Sequence, residues 1–389
     1  MTKKWSSRLT FFAFVVLMVG LGSNDSLRGI FSTIFQEHFS LTTTQLGLIV
    51  TASYIGNLVF LLVGGNLSTR FSKKRVLQVL ILIWMAALAL FAFTSNYTVL
   101  LIGMALALGS STLLNTTMNL ITPLLFATAP GFFVNFLFFT QEIGTSGSQY
   151  ILGSHADGFS FWQHTNLVLL ILGAVAFVLL LFCNVPEEAA APADAPAQKG
   201  GYDWRIIVPY VLVFGFYFIA EHGVMNWMVA YGVDGLGLPQ ASAAKYLSVF
   251  FGGMMIGRLC LSPLVDKLGA LKSLAAFGGV SCVLYLIGSL GGAVTMPIWA
   301  ISGLSFSILY PTLVMSIRLY FPAQQVSGAA GTILSIASLA DILFNVGFGK
   351  LVDMTGYAVS IRVLPLSALA FFIVFILFTK FCKPTQKLK

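Results

Sequence analysis

The stretch from Pro186 to Asp203 reads PEEAAAPADAPAQKGGYD, which is rich in Ala and Pro, polar, and has no apolar face to bury. On both sides of it the chain turns apolar. Toward the N-terminus, runs long enough to cross a bilayer, at about 20 residues each, fall at 9–31, 44–66, 76–95, 98–122, 131–152 and 164–184. Toward the C-terminus they fall at 206–230, 245–264, 273–292, 294–318, 330–349 and 360–381. The polar stretch therefore reads as a linker. It divides the chain into an N-terminal six-helix half at 1–185, a cytoplasmic linker at 186–203 and a C-terminal six-helix half at 204–389. The expected fold class is all-α membrane protein, with twelve transmembrane helices in two pseudo-symmetric halves.

Composition agrees with that division. Of 389 residues, 58% are hydrophobic and 9% charged, against roughly 25% charged in a soluble domain. So few charges cannot cover a particle of this size in water, which excludes a soluble globular protein. The net charge of +8 would suit a nucleic-acid partner, but the bases flank the apolar runs. With the N-terminus inside, 17 of the 21 Lys and Arg fall on the inner side, three (Lys245, Lys350, Arg362) on the outer side, and Arg28 lies inside the first span. The positive-inside bias accounts for them and places both termini in the cytoplasm. The expected surroundings are a lipid bilayer, with no nucleic acid.

The halves also resemble each other. A shift of 197 residues lays Tyr54, Gly56, Leu67, Arg70 and Phe71 on Phe251, Gly253, Leu264, Lys267 and Leu268. Tandem halves of like orientation imply parallel repeats related by an axis along the membrane normal, with a site expected at their interface. That is a carrier architecture. Enzyme signatures are missing: there is no G-x-x-x-x-G-K-[ST], HExxH or GxSxG. His38, His155, His164 and His222 lack metal-ligand spacing, and Cys183, Cys260, Cys282 and Cys382 form no CxxC. No cofactor and no metal are expected.

The sequence resembles the major facilitator superfamily at the turn after span two, where that family carries G-x-L-x-D-x-x-G followed by basic residues. Here the first copy reads Gly65-Asn66-Leu67-Ser68-Thr69-Arg70-Phe71-Ser72-Lys73-Lys74-Arg75, with Thr69 in place of the Asp and Ser72 in place of the second Gly. The second copy, Ser262-Pro263-Leu264-Val265-Asp266-Lys267-Leu268-Gly269, keeps Asp266 and Gly269 but loses the first Gly. The resemblance implies a gating role for Arg70, Arg75, Arg258, Asp266 and Lys267. A finer resemblance, to the fucose and glucose/galactose:proton symporter branch, rests on Asn24-Asp25, Glu221, Asn226-Trp227, the run Gly252 to Arg258, and Tyr310-Pro311-Thr312. The second acid that the fucose symporters carry around the end of span four has no counterpart in 119–129, NLITPLLFATA.

Ionisable groups inside spans cost about 2.5–3.5 kcal/mol on insertion scales, so each is a functional candidate. Four acids pass this filter: Asp25 in span one, Glu142 in span five, Glu221 in span seven and Asp341 in span eleven. The 197-residue shift sets Asn24 on Glu221 and Asp25 on His222. A carboxylate in a largely apolar cavity is driven toward its neutral form, which lets it take up and release protons as the cavity opens to each side. The structural alternative for Asp25 is an ion pair with Arg28, one turn further along the same helix. Amide stripes accompany the acids. Asn115 and Asn119 lie on span four, Gln141 and Gln149 on span five, and Asn345 on span eleven, offering donors and acceptors to a polyol. Helix-to-helix gluing is the alternative use of such groups. His222, Asn226, Trp227 and Tyr310 complete the candidate solute set, with Asn24 and Arg28.

The expected function is secondary active transport of a small polar solute, a sugar by the branch resemblance, through proton-coupled alternating access. A proton-driven exporter of drugs or amphiphiles is the alternative in the same architecture. The expected partners are a small-molecule solute and protons, with sodium as the alternative ion. The chain is expected to act as a monomer in a bacterial inner membrane.

Overall fold

The structure is a computed structural model and describes residues 3–126, 130–186 and 202–384. Among the described residues it contains helices and no strand. The twelve spans are α1 (Lys3–Ile30), α2 (Thr43–Arg70), α3 (Lys73–Phe93), α4 (Tyr97–Leu125), α5 (Pro130–Ile151) and α6 (Phe159–Phe182), followed by α7 (Trp204–Ala230), α8 (Gln240–Leu268), α9 (Ala270–Leu290), α10 (Met296–Leu319), α11 (Ala323–Thr355) and α12 (Tyr357–Phe381). All but α5 meet the length and hydropathy of a membrane span within their described residues. The outward side chains agree: along α6, Val168, Ile171, Val175, Val178 and Phe182 are exposed at alternating spacings of three and four, an apolar stripe suited to lipid.

The chain forms two compact units, Met1–Ala195 and Pro196–Lys389. The expected linker lies mostly outside the described residues. Within the first unit α1 packs on α5 and α6, α2 on α4, and α3 on α4 and α6. Within the second, α7 packs on α11 and α12, α8 on α10, and α9 on α10 and α12. Adding six to each label converts one packing scheme into the other, so the two units are the same six-helix fold. Gly56 and Gly253, superposed by the 197-residue shift, show why the likeness survives in sequence. A Cβ on Gly56 would overlap the backbone of Ala105 on α4, and one on Gly253 would press on the backbone of Leu304 on α10. Both crossings bring backbone against backbone, which larger residues forbid.

The two turn motifs diverge for a local reason. Gly269, between α8 and α9, has φ +82°, a conformation that favours glycine. At the matching place Ser72 has φ −58° and its Oγ accepts from the Arg75 amide at 3.4 Å, capping α3. The first copy therefore does not need the glycine. Asn96 and Asp203 cap α4 and α7 in the same way, accepting from Val99 N at 3.2 Å and Arg205 N at 2.9 Å.

Span ten is not one continuous helix. It is helical at Met296–Ile301, Gly303–Phe306 and Leu309–Ser316, and ends in a 3-10 turn at Ile317–Leu319. Pro311 has no N–H and its ring collides with the carbonyl four residues earlier, that of Ser307, where the second break falls. The Ser302, Ser305 and Ser307 hydroxyls bond to the Trp299, Ser302 and Leu304 carbonyls, occupying acceptors near the breaks. The end of span seven also differs, continuing past Ala230 as a π-turn over Tyr231–Gly235.

Candidate functional site

In the N-terminal unit the site is built on the crossing of α1 and α5. A Cβ on Gly22 would overlap the Gln141 carbonyl, and one on Gly144 would overlap the Val19 carbonyl. This contact lies within one turn of Asn24 and Asp25 on α1 and brings the backbones of α1 and α5 together. Thr145 Oγ1 closes the crossing by donating to the Gly22 carbonyl at 3.2 Å. Each polar residue of α1 has its own support. Trp84 of α3, fully buried, donates its indole N–H to Asn24 Oδ1 at 3.2 Å. Ser111 of α4 donates to Asp25 at 3.3 Å. Arg28 is 6% exposed, and its guanidinium stands 5.7 Å from the centroid of the Tyr54 ring on α2.

The amides of α4 and α5 form a directed chain. Asn119 Nδ2 donates to Asn115 Oδ1 at 2.6 Å, and Asn115 Nδ2 donates to Gln141 Oε1 at 2.6 Å. Gln149 is fully buried, with neither amide atom hydrogen-bonded. A buried amide without partners is costly and suits a site that a ligand or water completes. Glu142 is half-buried on α5. The side chains of Arg70 and Asp266, two of the expected gating residues, lie outside the described residues. Arg75 and Lys267 are exposed at helix ends. Their neighbour Lys74 secures a helix terminus. Its Nζ donates to the Leu181 carbonyl at 3.0 Å and the Cys183 carbonyl at 2.7 Å, satisfying the open end of α6.

In the C-terminal unit the equivalent pair of helices, α7 and α11, meets through side chains. His222 Nδ1 and Asp341 Oδ2 are 2.7 Å apart. Asp341 is 2% exposed and its second oxygen is buried without a hydrogen bond. One turn along, Trp227 Nε1 donates to Asn345 Oδ1 at 2.8 Å, and Asn345 Nδ2 donates to the Asp341 carbonyl at 2.8 Å. The Trp227 ring is fully buried against Phe348, with centroids 4.8 Å apart. Trp227 is thus engaged on both its polar and its apolar sides by α11. Asn226 is 2% exposed beside it.

Glu221, also buried, points into a different group. The hydroxyls of Tyr217, Tyr285 and Tyr310 lie within its electrostatic reach, and Arg258 of α8 acts on Tyr217 and Tyr310. The Tyr217 hydroxyl faces Glu221 without closing a hydrogen bond of ordinary geometry. The Tyr285 hydroxyl donates instead to the Ala220 carbonyl at 3.0 Å. The structure therefore separates Glu221 from His222, neighbours in sequence, into two environments on two faces of α7. Arg258, one of the expected gating residues, lies within electrostatic reach of two of these tyrosines.

Sequence reasoning missed Trp84, Ser111, Tyr217 and Tyr285, and read Tyr54 only as a likeness between the halves and Lys74 only as part of the basic turn. The four missed residues are single polar or aromatic residues in apolar runs, and nothing in their spacing distinguishes them from packing. Among the described residues no cluster of three His, Cys, Asp or Glu is placed to hold a metal ion.

Two sets of six spans with matched packing and polar groups buried within both have the architecture of a membrane carrier. The chain belongs to the Major Facilitator Superfamily, whose family model matches residues 10–340. It is a multi-pass membrane transporter and not an enzyme. It is 24% identical over 333 residues to the L-fucose-proton symporter of Escherichia coli strain K12, covering 74% of this chain and 75% of that one. It is 26% identical over 365 residues to the hexuronate transporter of Bacillus subtilis strain 168, covering 85% and 84%. Its fold is similar to the crystal structure of a D-xylose-proton symporter, with a TM-score of 0.79 and 16% identity over 97% of this chain and 98% of that one.

Proposed function

We propose that the protein is a proton-coupled symporter of a sugar-like solute. The observation that carries this reading is the α1 pair Asn24-Asp25, held by Trp84 and by Ser111, which lies on α4 one turn before Asn115 of the amide chain Asn119, Asn115 and Gln141. An acid next to oriented donors and acceptors supplies a proton site and a polyol site on one helix crossing. The similarity to proteins named as fucose-proton and xylose-proton symporters supports the same class. Asp25 is the first candidate for coupling, ahead of Glu221, Glu142 and the His222–Asp341 pair. Asn115, Asn119, Gln141 and Gln149 are the first candidates for solute contact. Trp227 and Asn345 are assigned to positioning α7 against α11, and Tyr310 to flanking Glu221. The positive-inside bias supports both termini lying in the cytoplasm, and the bacterial relatives support a bacterial inner membrane. The functional halves are taken as 1–185 and 204–389, joined by 186–203, with one chain as the working unit.

The test is solute-evoked proton movement in proteoliposomes, with a panel of hexoses, 6-deoxyhexoses, hexuronates, amino acids and cationic dyes. Sugar-evoked proton entry that disappears in Asp25→Asn while solute binding persists supports the reading. Silence with sugars together with proton-driven dye movement moves the function to export.

A further inference from the structure

Arg28 is unusual among the charged groups of the spans. It is 6% exposed, its Nε is buried without a hydrogen-bond partner, and among the described residues no carboxylate lies within ion-pair distance of it. It does not sit at a frayed end, because the chain is helical again from Ser32 to His38. The Asp25 charge is felt one turn away, but the hydrogen bond that Asp25 accepts comes from Ser111. The Tyr54 ring lies under the guanidinium and presents it without accepting from it. A guanidinium only donates, in a planar fork that matches a carboxylate. Gluing helices would need it hydrogen-bonded, and a neutral polyol is already served by the amide chain of α4 and α5.

We propose that Arg28, with Tyr54 as its shelf, is the recognition site for a carboxylate on the solute, so that the substrate class is a sugar acid such as a hexuronate. This rests on the reading of the protein as a proton-coupled carrier of sugar-like solutes. The site also links the two cargoes. While empty, the Arg28 charge is balanced by ionised Asp25. When a solute carboxylate takes the guanidinium, Asp25 loses that balance and takes up a proton, while Arg28 stays protonated and the solute stays ionised. Solute and proton then bind together, and the pair crosses without net charge.

The experiment uses the full-length protein in proteoliposomes and galacturonate, its neutral methyl ester, and galactose. For the wild type, galacturonate is expected to compete for uptake at least about 30-fold more tightly than the ester or galactose, the effect of a desolvated charge-assisted pair. In Arg28→Gln this preference is expected to be lost, a fall of about 30-fold or more, and in Arg28→Lys, which keeps the charge and loses the fork, to fall by less. If Arg28→Gln does not fold, the wild-type comparison of acid with ester and the Lys variant still decide. Galactose and the ester taken up as well as galacturonate by the wild type overturn the inference and leave the sugar-symport reading standing. An acid preference that survives in Arg28→Gln also overturns it. No uptake of acid, ester or galactose alongside proton-driven dye movement overturns both.

Discussion

Asn24 and Asp25 show how individual residues in an apolar helix acquire a function. A buried polar group persists only where partners meet it, and here the partners come from two other helices, Trp84 and Ser111. Removing the acid and removing its support should have different signatures. Asp25→Asn is expected to abolish solute-evoked proton entry while leaving solute exchange across the membrane measurable. Ser111→Ala removes one hydrogen bond of about 1 kcal/mol, and a several-fold change in apparent solute affinity with coupling intact is the expected result of an uptake titration. In the other unit, Asp341→Ala leaves His222 without this partner and opens a space in a buried contact. Its expected cost is about 2–4 kcal/mol, seen as a lower unfolding temperature of the purified protein.

The helix crossings are where the site is positioned. Gly22 and Gly144 let α1 and α5 approach until backbone meets backbone, within one turn of Asp25 on α1 and of Gln141 on α5. Gly144→Val is expected to destabilise by about 1–3 kcal/mol through overpacking and to lose transport without touching a polar group. Full transport with an unchanged unfolding temperature would show that the close crossing does not position the site. In α10 the break at Ser307 belongs to Pro311 four residues on, and Pro311→Ala is expected to lengthen the helix there, with more protected amides by hydrogen exchange. The difference between the turn motifs also belongs at this scale. A cap does at Ser72 what a positive φ does at Gly269.

At the scale of the whole molecule the observables are topology and charge balance. Reporter fusions at either terminus are expected to read as cytoplasmic, as the bias of 17 inner against three outer Lys and Arg requires. A membrane potential is worth about 2.3 kcal/mol per charge per 100 mV. Symport of a proton with a neutral sugar would therefore respond to an imposed potential. Symport of a proton with a sugar acid is expected to respond to a pH gradient and to ignore the potential, which a potassium and valinomycin clamp measures.

Fold class was legible from the chain alone because the bilayer imposes a length and a composition that few other structures need. Twelve apolar runs, the polar stretch after Pro186 and the 197-residue likeness were enough for the architecture. The acids were legible for the same reason, since a charge in a span is conspicuous. Their partners were not. Trp84, Ser111, Tyr54 and Tyr217 are ordinary residues of membrane helices, and only the packing of α1 with α3, α4 and α2, and of α7 with α10, gives them neighbours to act on. Glu221 and His222 are the clearest case. Adjacent in sequence, they face different ways around a helix with 3.6 residues per turn. The packing of α11 decided that His222 meets Asp341, and the tyrosines of α7, α9 and α10 surround Glu221. Hydropathy is summed along the chain and needs no partner to be read, whereas a hydrogen bond depends on distances that only the folded helices set.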